Sequence, residues 1–343
     1  MPLQTYAYPT AGEFRELERE LIPDLTMADP IFKHFPIRER NTWQVTWRQK
    51  DNTTGLQQAR GINGEPPRVV PLGENFFTSQ PGVYGEYQPI DERSLTMRID
   101  IPFGVNGMPM PTQDMVDEAQ EQLLGRRIDR IKDTLWQLAI NGHFTVRDVK
   151  GAVVHTDAYS QIIYTGSDWS TATTSTPLAD FRALVLLGRG TSASFGGGAT
   201  AYLNQVTANR MMSNTNAADL GGKKTIGSAS ITSLNGWNTI LRDEGLPTIQ
   251  VYDEGYITEA GVWTIRIPDD VVVVVGTRPG GVTPGEYQMV INANNPNRAP
   301  GAYTIVKDSA DGPHPVPREI HVHDGHNGGP ALEYPGMLIR MNV

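Results

Sequence analysis

From Trp43 the chain alternates, with Trp43, Val45 and Trp47 on one side and Gln44, Thr46 and Arg48 on the other, the period of a strand covered on one face. The pattern breaks at Asp51-Asn52-Thr53-Thr54-Gly55, and the return limb from Leu56 to Ile62 is poorly apolar and ends at the turn dipeptide Asn63-Gly64. Such a limb lacks the surface to make a core of its own. Pro66, Pro67, Pro71, Pro81 and Pro89 then punctuate an extended region carrying Phe76, Phe77, Tyr84 and Tyr87, and prolines at that density exclude a central strand. A strand is expected at Leu95 to Ile101. After a loop, Thr112 opens a helix in which Leu124, Ile128, Ile131, Leu135 and Leu138 recur at four, three, four and three, one apolar stripe over its C-terminal half. Acidic Asp114, Asp117, Glu118 and Glu121 precede basic Arg126, Arg127, Arg130 and Lys132, as the helix dipole favours, and Asn141-Gly142 supplies the stop. At ~1.5 Å per residue this helix is about 45 Å long.

On either side the pattern is shorter. Thr10, Glu13, Phe14, Leu17 and Leu21 predict a small amphipathic helix stopped by Pro23, an N-terminal arm with one sticky face. The proline-separated islands around Phe32 and Phe35 predict an extended segment draped over another surface. Beyond Gly166 the texture changes to a mixed region, with helices at Pro177 to Leu187 and near Trp237 to Arg242. Strands are expected at Ala201 to Leu203, Thr248 to Tyr252, Val262 to Ile267, Asp270 to Val275 and Tyr287 to Asn292. The apolar run Val271 to Val275 reads as a buried strand. The tail from Ala331 to Val343 is expected to return as an apolar strand that pairs with the strand beside the long helix.

Composition narrows the function more than the fold. With 35 glycines and 25 prolines in 343 residues the chain is rich in turns yet well inside the folded range. The absence of cysteine excludes disulfides, thiolate metal sites and cysteine nucleophiles. A formal charge of -9 argues against a general nucleic-acid binder, which needs cationic surface to neutralise phosphate. The start Met1-Pro2-Leu3 lacks the features of a secretory signal, and no stretch approaches the ~20 apolar residues of a membrane span, so no membrane association is expected.

One cluster invites chemistry. In a strand His321 and His323 share a face, and with Asp324 or His326 turned in they could ligate zinc or iron, making a metal-dependent enzyme. The spacing fits no strong metal motif, and the competing expectation is a solvated strand end followed by a glycine-rich turn. Gly188 to Gly198 holds no lysine, and Gly221-Gly222-Lys223-Lys224-Thr225 lacks the upstream glycine of a phosphate loop. The pairs Asp91-Glu92 and Asp269-Asp270 are expected as solvated carboxylates at strand entrances. No catalytic residue, cofactor or metal site is therefore assigned.

The segment Pro67-Arg68-Val69-Val70-Pro71-Leu72-Gly73, the turn-rich approach Phe76 to Tyr87 and the long helix through Leu135 to Gly142 together resemble the major capsid proteins of tailed bacteriophages, in the lambda-like branch with the Hong Kong 97 fold. That resemblance implies an α+β chain with an N-terminal arm at 1–42 and an extended β-hairpin loop at 43–81. It further implies a peripheral domain at 82–165 holding a spine helix at 112–141, a mixed α/β axial domain at 166–317, and a return strand at 318–343. It implies a shell subunit of the virion, assembled in the cytoplasm of a bacterial host, that forms pentamers and hexamers enclosing double-stranded DNA without reading its sequence. No long acidic helical leader is present to act as a built-in scaffold, which leaves a separate scaffolding protein or none; portal and cement proteins are the other partners implied. The apolar arms point to Phe14, Leu17, Trp43, Trp47, Phe76 and Phe77 as inter-subunit contacts, with Phe14, Leu17, Trp43 and Trp47 expected to be buried only on assembly. Lys50, near the loop tip, is the residue matching covalent cross-linking in some family members. A virion decoration or binding protein would share the composition without needing the long helix.

Overall fold

The computed structural model describes residues 29–49, 75–97, 112–148, 150–191, 193–215, 233–258, 261–308 and 319–343. The arm helix with Phe14 and Leu17, the loop tip with Lys50, the segment Pro67 to Gly73, residues 98–101 of the expected strand, and Gly221 to Thr225 lie outside them. In chain order the strands are β1 (Ile37–Glu39), β2 (Val45–Gln49), β3 (Asn75–Ser79), β4 (Gly82–Ile90), β5 (His143–Arg147), β6 (Val153–Ala158), β7 (Ile162–Thr165) and β8 (Thr200–Leu203). They continue with β9 (Thr248–Val251), β10 (Gly255–Ile257), β11 (Trp263–Ile265), β12 (Val271–Val275), β13 (Gly285–Met289), β14 (Ala302–Asp308), β15 (Ile320–Leu332) and β16 (Leu338–Asn342). The long helix runs Thr112–Asn141, and shorter ones lie at Glu92–Met97, Pro177–Leu187, Gln205–Met212 and Leu234–Asp243. The chain forms two compact units, 1–45 with 79–133 and 287–329, and 46–78 with 134–286 and 330–343.

In the first unit β15 is the middle strand, antiparallel to β4 on one side and β14 on the other. The pleat puts Ile320 and Val322 on one face, where they meet Ile90 and the helix residues Met115, Val116, Ala119 and Leu123. Arg127 and Asp324 meet within this unit, Nη1 to Oδ1 at 2.7 Å, both side chains almost fully buried. The glycine-rich stretch expected to be a turn is strand throughout: Gly325 pairs with Gly85 and Gly328 with Gly82. A Cβ at 325 would stand 2.8 Å from the Tyr303 ring, and one at 328 would stand 2.9 Å from that of Tyr287. Glycine serves close approach here, not reversal.

One further expectation gives way in this unit. Residues 92–97 are helical, because Asp91 accepts the Ser94 backbone N–H at 2.8 Å and so caps a helix where a strand entrance was expected. The proline-punctuated approach to it contains a true strand, β4, which pairs with β15 alone and so tolerates Pro89.

The second unit is built on a sheet of order β7-β16-β12-β8-β9. All five valines of β12 are buried, as their unbroken run predicts. Val272, Val274, Ile339 and Met341 pack with Phe181, Leu184, Met211, Trp237 and Leu241 from the shorter helices. Thus β16 joins β12 and β7, in place of the expected strand beside the long helix. Asp180 is buried but fully engaged: it accepts from the Ser167 N–H and hydroxyl and from the Trp169 indole N–H. The last helical carbonyls of residues 139 and 140 accept from the Gln161 amide, and that of 140 also from Arg340, before Gly142 at φ 63° ends the long helix.

Candidate assembly surface

The loop-base strands β2 and β3 pair in a two-stranded sheet, and their side chains settle where the aromatic residues go. Trp47 is stacked between Phe77, with ring centroids 5.6 Å apart, and Tyr159, at 5.1 Å. The Tyr159 hydroxyl is fixed in turn by donating to the Pro330 carbonyl at 2.9 Å. Trp47 is consequently 9% exposed. This corrects the expectation that it is covered only on assembly: the chain itself supplies both faces of the stack. Phe76, the next residue from Phe77 in β3, takes the other side of the pleat, where the Arg48 guanidinium covers its ring at 4.6 Å and leaves it 69% exposed. Phe77 retains an exposed edge, and Trp43, in the other unit, is 70% exposed. Large aromatic rings left in water at these levels cost about 1.5–3 kcal/mol each relative to burial, which favours a partner surface.

Sequence reasoning missed a further exposed apolar feature, the hairpin β10–β11, where Ile257 and Trp263 are cross-strand partners and both are exposed. The strand expected at Val262 to Ile267 contains β11, but its pairing with β10 and the exposure of both partners depend on tertiary surroundings that no local period records. The exposed Ile163 of β7 was missed for the same reason.

Only two of the histidines come together. The uninterrupted register of β15 against β14 places His321 and His323 on one face, their rings 6.0 Å apart, where His323 stacks on Tyr87 at 5.4 Å and His321 is tilted against it at 5.1 Å. Asp324 and His326 point to the other face, where His326 Nε2 meets the Tyr287 hydroxyl at 2.9 Å and Asp324 meets Arg127. Turning either one toward His321 would need a bulge that the ladder lacks. Among the described residues no group of three or more histidines and carboxylates is placed to hold a metal ion. Nor is any described helix long and apolar enough to cross a membrane.

Burial dominates the electrostatics. It pushes His326 down to about 3, assisted by Arg127 and Arg130, and His34 down to about 4, assisted by Lys33. Both imidazoles are thus neutral when folded at pH 7, while an unfolded chain takes up a proton near pH 6.5. Their contribution to stability is complete above pH 6.5 and is lost as the pH falls toward the folded values. Each should remove about 1.4 kcal/mol per pH unit between pH 6.5 and 4. Urea denaturation at pH 7.0, 5.5 and 4.5 measures this, and a flat profile would mean that both rings titrate freely. The Glu86 carboxylate is held below its ordinary value by its bond to Arg126 and adds to acid lability at lower pH.

No protein-family model and no curated protein matches the sequence. Solved structures do match. The protein assigned as the capsid protein of a prophage of E. coli CFT073 superposes with a TM-score of 0.53 at 13% identity, over 95% of this chain and 98% of that one. A phage-related protein of Bordetella bronchiseptica RB50 gives 0.52 at 9% identity, over 94% and 96%. At such identities the likeness is one of fold, and it spans both chains from end to end. The chain therefore has a mixed α+β fold shared with phage capsid proteins.

Proposed function

We propose that this chain is the major capsid protein of a tailed bacteriophage, a subunit that builds the icosahedral shell around double-stranded DNA. The observation that carries the reading is the match to a prophage capsid protein, 95% of one chain on 98% of the other. The exposed rings at the loop base, Phe76 and the edge of Phe77, and separately Trp43, are the surfaces this reading assigns to neighbouring subunits. Phe14, Leu17 and Lys50 are assigned there on their sequence alone, and Trp47 through the stack that holds Phe77. The finer reading is the Hong Kong 97 arrangement: arm 1–42, loop 43–81, peripheral domain 82–165, axial domain 166–317 and return strand 318–343, assembling as pentamers and hexamers. Head-to-tail contacts close into rings when the rotation allows, and long arms overlapping a neighbour suit rings that must tile a curved surface. A net charge of -9 suits a wall that must not hold its genome tightly.

Electron microscopy of the expressed chain, alone and with a co-expressed scaffolding protein from the same phage, tests the reading. Closed shells with five- and six-membered rings are expected. Monomers or isolated trimers under both conditions would overturn it and favour a decoration protein.

A further inference from the structure

The two edges of the second unit's sheet are treated differently. At β9, the amide of Asn238 from the helix Leu234–Asp243 donates to the Ile249 carbonyl at 2.9 Å and accepts the Ile249 N–H at 2.7 Å. A side-chain amide has the donor and acceptor of a peptide unit, so Asn238 occupies the outer side of β9 as one residue of a neighbouring strand would. That edge is stopped at its second residue.

The opposite edge, β7, has no such stopper. The Gly166 N–H donates to the Asn342 carbonyl of β16. The two-residue period of a parallel ladder then turns Tyr164 and Ile162 to β16 as well, and directs the N–H and C=O groups of Ile163 and Thr165 outward. Among the described residues neither has a hydrogen-bond partner on that side. Both are exposed, Ile163 at 55%. Two outward residues at i and i+2 are the minimum template for strand addition, in which main-chain bonds supply affinity and side-chain pockets supply selectivity.

We propose that the outer edge of β7 accepts the same edge of a second copy of this chain as an added strand. The occupant follows from self-complementarity. In an antiparallel pair about a twofold axis, Ile163 of one copy faces Thr165 of the other, and each pair exchanges both bonds, so the edge satisfies all its own free groups. Four residues of strand are far below the ~800 Å² per partner of a stable interface, so this contact works within a larger assembly and rests to that extent on the capsid reading.

Hydrogen exchange on peptides spanning residues 162–166 tests it, comparing wild-type shells with subunits released from them. Exchange at Ile163 and Thr165 should slow by about 100-fold or more on assembly. Unchanged exchange would overturn the proposal while leaving the capsid reading intact. Ile163→Pro and Thr165→Pro provide the second arm. Each removes an outward N–H that the folded subunit does not use, so both variants should match wild-type circular dichroism yet lose most assembled particles. Normal shells from both would refute the edge contact; should either variant fail to fold, the wild-type exchange decides. If the wild type forms no shells, the capsid reading falls, and the edge is judged by exchange in dilute against concentrated wild type. Slowing on concentration upholds it, and identical rates overturn it.

Discussion

Leu135→Asp should abolish soluble folding. Leu135 is fully buried in the stripe it shares with Leu124, Ile128, Ile131 and Leu138, all of them buried. The next residue, Trp136, packs at a tilt against Tyr252 at 4.6 Å and meets Tyr202 edge-on at 5.5 Å, so the helix cannot easily roll to bring position 135 into water. A carboxyl there must be neutralised or expelled, at several kcal/mol against a total stability of roughly 5–15. Leu135→Met, which keeps the volume, should cost less than about 1.5 kcal/mol and serves as the control. Soluble, cooperatively unfolding L135D would mean that the stripe faces solvent.

Asp324→Ala should be nearly as damaging although no apolar contact is lost. The carboxylate accepts from Arg127 at 2.7 Å and from the Thr304 hydroxyl at 3.1 Å. Arg127 is pinned on a helix and cannot carry its guanidinium to water, so deleting the acid leaves a buried positive charge short of its partner, at about 3–5 kcal/mol. The double variant Arg127→Met with Asp324→Leu removes both charges and should recover most of that loss. Denaturation midpoints of the two singles and the double measure the coupling. Additive losses would mean that the pair does not act as a unit.

The long helix and the valine strand β12 were legible in the sequence because one repeating pattern fixed each: a stripe for the helix, an unbroken β-branched run for the strand. The strand β15 was not. Gly325, Gly328, Gly329 and Pro330 are local signals for a turn, and the reason they sit in a strand is tertiary, since the Tyr303 and Tyr287 rings occupy the space a side chain would take. Residues 95–97 misled in a different way. Leu95 and Met97 alternate with polar neighbours as a strand would, and what decides for helix is the cap in which the Asp91 carboxylate accepts from Ser94.

The aromatic surface shows the same division. Trp43 and Trp47 belong to one alternating run, so sequence treats them alike, yet one is exposed and the other is sandwiched by Phe77 and Tyr159. That distinction depends on residues brought in from distant parts of the chain, which no local period records. The free edge of β7 was beyond sequence for the same reason, because it is defined by which strand is absent beside it.

The two main sheets also set a timetable. Arg127 waits for Asp324 across 197 residues, and the carbonyl of Ile140 waits for Arg340 across 200. At the ribosome's pace of about 5–20 residues per second, a stretch of that length takes roughly 10–40 s to emerge. Until then β4 lacks β15, and β7 and β12 both lack β16. The nascent chain therefore passes through an interval in which strands that will be paired in the native sheets are open to any neighbour, including the same strands on the next chain of a polysome. That interval is when chaperone binding would matter most, and slower elongation lengthens it.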